Sequence, residues 1–294
     1  MIKTNELPAI DSFLDTDGFI VDTASATGRM TGAKAKEYFA DLFLHGGIPY
    51  GKELTDSWAT LKAKAQARDY SGIHIGDYKT ITLSTGEVVI EEVSGLGQYE
   101  NWGDTAIGGC IDFISRDCPK GAKQWNATAT NNGTADEKRP WLASDLYQAL
   151  NDESTGVYAK LPSDLKSAII PKRALLEERY SAAGAITADS NCSWADAGKL
   201  WLPTEIEVFG HLVWSEPGYG TGGGGCNKQY PIFMGSSKHL IKGDGNGGLR
   251  VSWWLLSVSR ANASDVCYVS ISGSAGSTSA ASASVRAPLC FRIG

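Results

Sequence analysis

Side chains able to bind metals or act as nucleophiles are scattered along this sequence of 294 residues. The four histidines, His45, His74, His211 and His239, lack the i, i+4 spacing that places two metal ligands on one helix face. The six cysteines lack the paired spacing of a zinc site. These patterns favour structural roles, and we expect neither a bound metal nor a cofactor.

Two glycine-rich stretches could in principle surround a small ligand. Asp244 lies in the first, residues 242–247, and Asp265 is the next carboxylate along the chain. This stretch lacks the glutamate that completes an EF-hand loop, so a tight glycine turn is favoured and calcium-dependent sugar binding is the alternative. The second stretch, residues 218–225, lacks the Gly-Lys-Ser/Thr ending of a phosphate loop, and we expect a flexible loop there.

Composition excludes several classes of protein. A formal net charge of -6 leaves no basic surface for nucleic acid. No apolar run approaches the roughly 20 residues that a membrane helix needs, so we expect no membrane insertion. The N-terminus shows no apolar region typical of a signal peptide, which predicts synthesis in the cytoplasm and release by lysis or inside a particle. No Gly-x-Ser-x-Gly elbow of a hydrolase occurs.

The C-terminal part has an unusual composition. Residues 257–287 contain no Lys, Glu, Gln, Met or Trp, and all nine Trp lie at or before Trp254. Codons with random first and second bases and a fixed pyrimidine third base cannot encode these five types. Large apolar residues flank the stretch and need a core to bury them, which argues against a disordered low-complexity tail.

The elements that must position this segment begin with helices. Apolar spacing predicts N-terminal helices over residues 31–46 and 55–68. A period-two pattern on both sides of the turn at residues 84–86 then predicts a hairpin.

The change of period near Tyr70 predicts a boundary between two parts. The first is an N-terminal helical segment, residues 1–70, which we expect to mediate assembly. The second is a ligand-binding domain, residues 71–294. Helices followed by many short strands and glycine-rich loops indicate an α+β protein.

Within the larger part, polarity and spacing predict further elements. Residues 126–139 are expected to form an exposed loop, and residues 141–150 and 163–170 short helices. Residues 200–205 should enter a helix that ends at Gly210. Further strands are predicted over residues 230–233, 251–256, 266–271 and 285–291.

Five sequence blocks of the C-terminal half occur in a characteristic order. They are residues 200–205 (LWLPTE), 230–233 (YPIF), 253–257 (WWLLS), 266–269 (VCYV) and 285–288 (VRAP). This order resembles the C-type-lectin-fold proteins of phages and gut bacteria, among them the variable proteins of diversity-generating retroelements. In those systems an error-prone reverse transcriptase rewrites Asn codons near the C-terminus and so diversifies a ligand-binding surface.

The resemblance implies a C-type lectin fold, related to that of the formylglycine-generating enzyme, with short antiparallel strands and long loops. It implies a non-enzymatic phage or prophage receptor-binding protein whose variable region is residues 257–287. The expected partner is a host-cell surface protein or glycan, with a homo-oligomer and other virion proteins as further partners. The expected location is the tail or capsid surface of a virion.

Strand alternation and the resemblance together predict which side chains face the ligand. Val266, Cys267 and Val269 are candidate core residues. The candidate ligand-binding residues are Ser259, Arg260, Asn262, Ser264, Asp265, Tyr268, Ser270, Ser272, Ser274, Ser277, Thr278, Ser279, Ser282 and Ser284.

Two alternatives stay open. One is a fixed structural virion protein whose Ser-rich segment is not diversified. The other is an oxidase of the formylglycine-generating type, for which Cys267 and Cys290 are the candidate active-site cysteines. Because both cysteines lie in strand patterns, we expect them to be buried thiols that act as small hydrophobic side chains.

Overall fold

The computed structural model divides the chain into two compact units, Met1–Gly51 and Lys52–Gly294. The residues that it describes are 18–22, 27–31, 51–100, 103–121, 123–180, 192–215, 228–234, 237–245 and 247–294. In the first unit, β1 (Gly18–Asp22) and β2 (Thr27–Thr31) form an antiparallel hairpin. The helix predicted over residues 31–46 lies outside the described residues, except for Thr31, which ends β2.

The larger unit is mixed α and β, with mostly antiparallel strands and few helices. Its main sheet is a curled half-barrel in the order β3-β4-β5-β15-β6, with β9 also paired to β15. The strands of this sheet are β3 (Tyr78–Thr82), β4 (Val88–Leu96), β5 (Ile111–Ser115), β6 (Ile169–Ile170), β9 (Leu200–Trp201) and β15 (Cys290–Ile293).

A second sheet and two short ribbons complete the strands. The second sheet has the order β12-β13-β14, with β12 at Trp253–Val258, β13 at Asp265–Val269 and β14 at Ala275–Ser279. The ribbons pair β7 (Arg173–Glu177) with β8 (Cys192–Asp196), and β10 (Lys242–Gly243) with β11 (Arg250–Val251).

The helices are short. They are α1 (Trp58–Gln66), α2 (Pro140–Ala143), α3 (Asp145–Asn151), α4 (Ser163–Lys166) and α5 (Glu205–Phe209), with 3-10 turns at Tyr158–Lys160, Pro231–Phe233 and Ser237–Leu240. None of the helices in the described ranges has both the length and the apolar character needed to cross a bilayer.

The predicted second helix forms and packs on the main sheet. The Ser57 hydroxyl caps α1 by accepting the Thr60 N–H. The indole of Trp58 meets the rings of Phe113 and Phe291 edge-on, with centroids 5.3 and 5.7 Å away. The helix therefore shares a core with β5 and β15, two neighbouring central strands of the sheet, and Tyr70 lies inside the unit Lys52–Gly294.

Two predicted strands differ in the structure. Pro231 opens a 3-10 turn where residues 230–233 were expected to be a strand, because proline has no N–H to donate to a ladder. The last strand begins at Cys290 and not at Val285, and Pro288 explains the delay in the same way.

The strand β14 is absent from the sequence prediction. Ala, Gly and Ser have low strand propensity, so the sequence predicts no strand over residues 275–279. In the structure they pair with β13 over its whole length, from Asp265 opposite Ser279 to Val269 opposite Ala275. The candidate ligand-binding residues Ser277, Thr278 and Ser279 are therefore strand residues.

Candidate functional site

The predicted ligand-binding surface is built on β13 and β14. Val266, Cys267 and Val269 are fully buried, which confirms the predicted core residues. In the register of the hairpin, Tyr268 lies opposite Gly276. A side-chain carbon at position 276 would stand 2.8 Å from the Tyr268 ring, so this glycine leaves the room that the ring occupies.

The predicted residues are divided between the two faces of the β13–β14 hairpin. Directly opposed residues share a face, so Thr278, opposite Val266, lies on the Tyr268 face. Ser277, opposite Cys267, and Ser279, opposite Asp265, lie on the other face. The structure therefore brings the predicted residues together along one hairpin and its loops, but not onto a single face.

Exposure of these side chains varies. Four are exposed: Arg260, Ser272, Ser274 and Ser284. Nine are half-buried: Asn262, Ser264, Asp265, Tyr268, Ser270, Ser277, Thr278, Ser279 and Ser282.

Ser259 is a correction to the prediction, because it is fully buried. It forms an antiparallel bridge with Ser215, and its carbonyl accepts a 2.7 Å hydrogen bond from Nη1 of the buried Arg179. Its hydroxyl accepts the N–H of Ala261. Ser259 thus anchors the loop and is not part of the accessible surface.

The amide of Asn131 holds the loop between β12 and β13. Asn131 is fully buried. Its Nδ2 donates to the carbonyl oxygens of Asn262 at 2.9 Å and Asp265 at 2.6 Å, with that of Ser259 at 3.4 Å. Its backbone N–H donates to the carbonyl of Ala263 at 2.9 Å. All four bonds end on main-chain oxygens of the loop.

The other end of the segment is held in the same manner. Backbone N–H groups of Trp125 and Asn126 both donate to the carbonyl of Ala280, and the N–H of Lys123 donates to that of Val285. The side-chain amide of Gln124 donates to the carbonyl of Ala281 at 2.7 Å. Residues 123–131 are therefore a clamp that grips the segment through its backbone.

Side chains of the segment bond locally. The Asn262 Oδ1 accepts from the N–H groups of Ser264 and Asp265. The hydroxyl of Ser272 lies within hydrogen-bond distance of those of Ser270 and Ser274. Within the described part of the chain, the side-chain hydrogen bonds of the fourteen predicted residues stay inside residues 259–284.

The sequence blocks contact one another beneath this surface. The Leu256 N–H donates to the carbonyl of Pro203, and the Glu205 N–H donates to the Ser257 hydroxyl. The Trp254 N–H donates to the carbonyl of Arg286. The 200–205, 253–257 and 285–288 blocks are thus one hydrogen-bonded unit.

Glu205 anchors the backbone that follows helix α5. It begins α5, and Gly210 ends the helix with a φ of 77°. Its carboxylate is fully buried and accepts the N–H groups of Val213, Trp214 and Ser215 at 2.9 to 3.0 Å. An ionised acceptor with several N–H partners is a strong anchor.

Two buried ion pairs involve residues of the main sheet and of α5. Asp112 accepts a bidentate pair of bonds from Arg292 at 2.7 and 2.8 Å, and Lys172 donates to Glu207 at 2.5 Å. The Lys172 ammonium also lies 4.0 Å from the ring centroid of Trp201. Burial lowers the pKa of Lys172, and Glu207 opposes that shift. These charges are sealed from solvent, so their role is structural.

The two candidate catalytic cysteines lie in different sheets, Cys267 in β13 and Cys290 in β15. Both are fully buried, as expected. Burial raises the pKa of each thiol well above its usual range. A nucleophile needs the thiolate, which this environment disfavours.

The candidate calcium ligands are engaged with the protein. Asp244 forms an ion pair with Arg286 at 3.1 Å, and Asp265 accepts from the Ser264 hydroxyl at 2.9 Å. Gly245 and Gly247 have positive φ, as the predicted tight turn requires. No cluster of three or more His, Cys, Asp or Glu suited to a metal occurs among the described residues. The glycine-rich residues 218–225 lie outside them.

Sequence reasoning missed the residues that hold the surface. Residues 126–139 were expected to be exposed, yet Asn126 and Asn131 are buried. Their polarity gives no periodic signal, because they bond to distant backbone and not to an apolar face. No sequence pattern marked Arg179 as a residue that holds the surface either.

The comparisons with known proteins give one match. Residues 114–293 match the profile of a family described as "Domain of unknown function (DUF6273)". No curated protein and no solved structure matches the chain. The matched range runs from the end of β5 to the end of β15 and includes the clamp, the sequence blocks and the candidate surface. The chain therefore belongs to the DUF6273 family.

Proposed function

We propose that this protein is a non-enzymatic ligand-binding protein of a phage or prophage, with a C-type lectin fold and a diversified C-terminal surface. It is displayed on the virion, and residues 257–287 bind a target on the host cell. The mixed α and β architecture with antiparallel sheets supports this fold. The contacts among the blocks at residues 200–205, 253–257 and 285–288 support it as well.

The observation that carries the proposal is the backbone grip on the segment. Asn131 and the clamp residues bond to main-chain oxygens at both ends of it. Every amino acid supplies a carbonyl, so the grip does not depend on which side chains the segment carries. Substitutions at its exposed positions should cost within about 0.5 kcal/mol.

The chemistry of the surface supports binding rather than catalysis. Apart from Arg260 and Asp265, its polar side chains are hydroxyls and the Asn262 amide, which make adaptable hydrogen bonds in binding surfaces. The charged residues Asp112, Lys172, Glu207 and Arg292 are buried and form two ion pairs. Cys267 and Cys290 are held as protonated thiols.

The decisive experiment is nucleotide sequencing of the gene and its flanks across a population. We expect a near-identical template repeat that differs at adenines, aligned with codons 259–284, and a reverse-transcriptase gene nearby. Codons for the clamp, residues 123–131, are the internal control and should stay constant. An invariant gene with no repeat would overturn the proposal and leave a fixed structural virion protein.

A further inference from the structure

An exposed tryptophan and an exposed arginine face each other at the edge of the candidate surface. Ser215 and Ser259 form an antiparallel bridge, and the Arg260 N–H donates to the carbonyl of Trp214 at 2.9 Å. Trp214 is thus directly opposite Arg260. Ser215 and Ser259 are buried, whereas Trp214 and Arg260 are exposed, so this opposed pair lies on the solvent side, where opposed side chains are neighbours.

The backbone of Trp214 is fixed by a buried charge. The Glu205 carboxylate accepts the N–H groups of three consecutive residues, Val213, Trp214 and Ser215. A binding group on a rigid backbone loses little entropy when a ligand arrives. Trp214 is nevertheless 40% exposed and Val213 47% exposed, so this anchored turn presents apolar surface to solvent.

The guanidinium of Arg260 complements that apolar surface. Arg260 is exposed, and its side chain forms no ion pair with any residue that the structure describes. A guanidinium binds a carboxylate through two parallel hydrogen bonds. Tryptophan and arginine are also the residue types most enriched where interfaces gain their affinity.

We propose that Trp214 and Arg260 form a contact site for a protein ligand that carries a carboxylate next to an apolar side chain. The site rests on the proposed ligand-binding function and names the chemistry of the partner. Arg260 pairs with the carboxylate, while Trp214 and Val213 bury the apolar group. Val213 favours a protein over a saccharide, because a hydroxylated ring would cover its methyl groups poorly. Trp214 lies outside residues 257–287, so it is a constant contact.

The test selects short random peptides on the full-length chain and measures dissociation constants for those that are enriched. We expect the enriched peptides to share an Asp or Glu next to an apolar residue. Trp214→Ser and Arg260→Glu should each weaken binding by about tenfold or more. Replacing the shared Asp or Glu of the peptide by Lys should restore binding to the Arg260→Glu variant. The same peptide should no longer bind the unmodified protein.

Matched control variants are available at the opposite end of β12. Leu249 is 87% exposed and Arg250 is exposed, so Leu249→Ser and Arg250→Glu repeat the same chemical changes away from the site. Both should bind the peptides unchanged. Melting curves of all four variants show whether each is folded.

The outcomes separate this inference from the proposed function. The Trp–Arg site is overturned if the enriched peptides lack acidic residues. It is also overturned if Trp214→Ser and Arg260→Glu bind the peptides as tightly as the unmodified protein does. If Ser272→Arg and Ser284→Arg then abolish binding, the diversified surface still stands. If binding is unchanged by all four substitutions, Trp214→Ser, Arg260→Glu, Ser272→Arg and Ser284→Arg, both proposals are wrong. Acidic saccharides are the remaining alternative. If their binding depends on Trp214 and Arg260 and that of the selected peptides does not, the proposal that the ligand is a protein is wrong.

Discussion

Asn131 recognises no side chain of the loop that it holds. Its amide and its N–H bond to the carbonyls of residues 259, 262, 263 and 265, and even proline would offer the same oxygen. A single buried side chain can therefore keep a loop in place while the residues of that loop change. The importance of Asn131 follows from the main-chain oxygens to which its amide donates.

Asn131→Ala should be strongly destabilising. It removes the donor to the carbonyl of Asn262 and one of two donors to the carbonyls of Ser259 and Asp265, and we expect a loss of about 2 kcal/mol in the free energy of unfolding. Ser282→Ala, within the segment, is the control and should change the stability by less than about 0.5 kcal/mol. Chemical denaturation measures both. Equal stabilities of the two variants would contradict the clamp.

Glu91 makes the stability depend on pH in an unusual direction. It is fully buried in β4, and neither carboxylate oxygen has a hydrogen-bond partner among the residues that the structure describes. Burial raises its pKa well above the ordinary value of 4.5, although Lys242 opposes the shift. The unfolded chain then releases a proton that the folded chain retains. The contribution of Glu91 to the free energy of unfolding is complete below pH 4.5 and is lost as the pH rises towards the pKa of Glu91 in the folded protein.

Glu91→Gln should remove this dependence. We expect the free energy of unfolding of the variant to fall less steeply above pH 4.5, with a slope smaller by up to about 1.4 kcal/mol per pH unit, the value for one proton. Glu153→Gln, at an exposed position, is the matched control and should keep the original slope. Denaturation curves across the pH range test this, and parallel profiles for Glu91→Gln and the unmodified protein would contradict it.

Helix α5 is an organising element despite its five residues. Thr204 and Glu207 form a capping box at its start, and Glu205 at its first position gathers the backbone of residues 213–215. The Glu205 N–H also reaches Ser257 in β12. One short helix therefore links two sequence blocks and fixes the turn that presents Trp214.

Glu205→Gln should loosen that turn selectively. Losing the ionised acceptor should cost about 2 kcal/mol of stability and speed hydrogen exchange at the amides of Val213, Trp214 and Ser215. Glu53→Gln, at an exposed position, should leave their exchange unchanged. Hydrogen exchange followed by mass spectrometry decides, and full protection of residues 213–215 in the variant would refute the role of Glu205.

At the scale of the whole molecule, four of the cysteines that the structure describes are buried thiols. Burial raises the pKa of Cys110 and of Cys118 to about 12, and that of Cys267 and Cys290 well above the usual range. Alkylation needs an accessible thiolate. We expect these four to react at neutral pH only when the protein unfolds, slower by about a hundredfold or more than in denaturant.

Mass spectrometry of the alkylated protein locates the labelled cysteines. Cys192 is half-buried and serves as the internal comparison. Rapid labelling of both Cys267 and Cys290 in the folded protein would contradict the prediction and revive the oxidase alternative.

The parts of the fold that the sequence predicted are those with strong periodic patterns. Trp58 and Leu61 in α1, the β3–β4 hairpin, and the apolar residues of β12 and β13 lie where their spacing placed them. The start of α5 was predictable because Thr204 and Glu205 are typical of a helix N-terminus.

The rest depends on contacts distant in sequence. β14 is a strand because β13 lies beside it, and its own residues prefer turns. The buried positions of Ser259, Asn131 and Arg179 follow from hydrogen bonds across 80 to 128 residues, which no local pattern records. For the same reason the sequence did not predict that Trp214 would stand beside Arg260.

Because of the position of β15, the protein folds only when its reading frame is intact through residues 257–287. This strand follows the candidate variable segment in the chain, yet it lies between β5 on one side and β6 and β9 on the other. A frameshift or premature stop codon within residues 257–287 removes it, and the half-barrel then loses its central ladder. Such a product exposes unpaired strands and is open to proteolysis. Only an mRNA that stays in frame across the segment encodes a protein with the complete half-barrel. Folding therefore discriminates against changes in the segment that disrupt the reading frame.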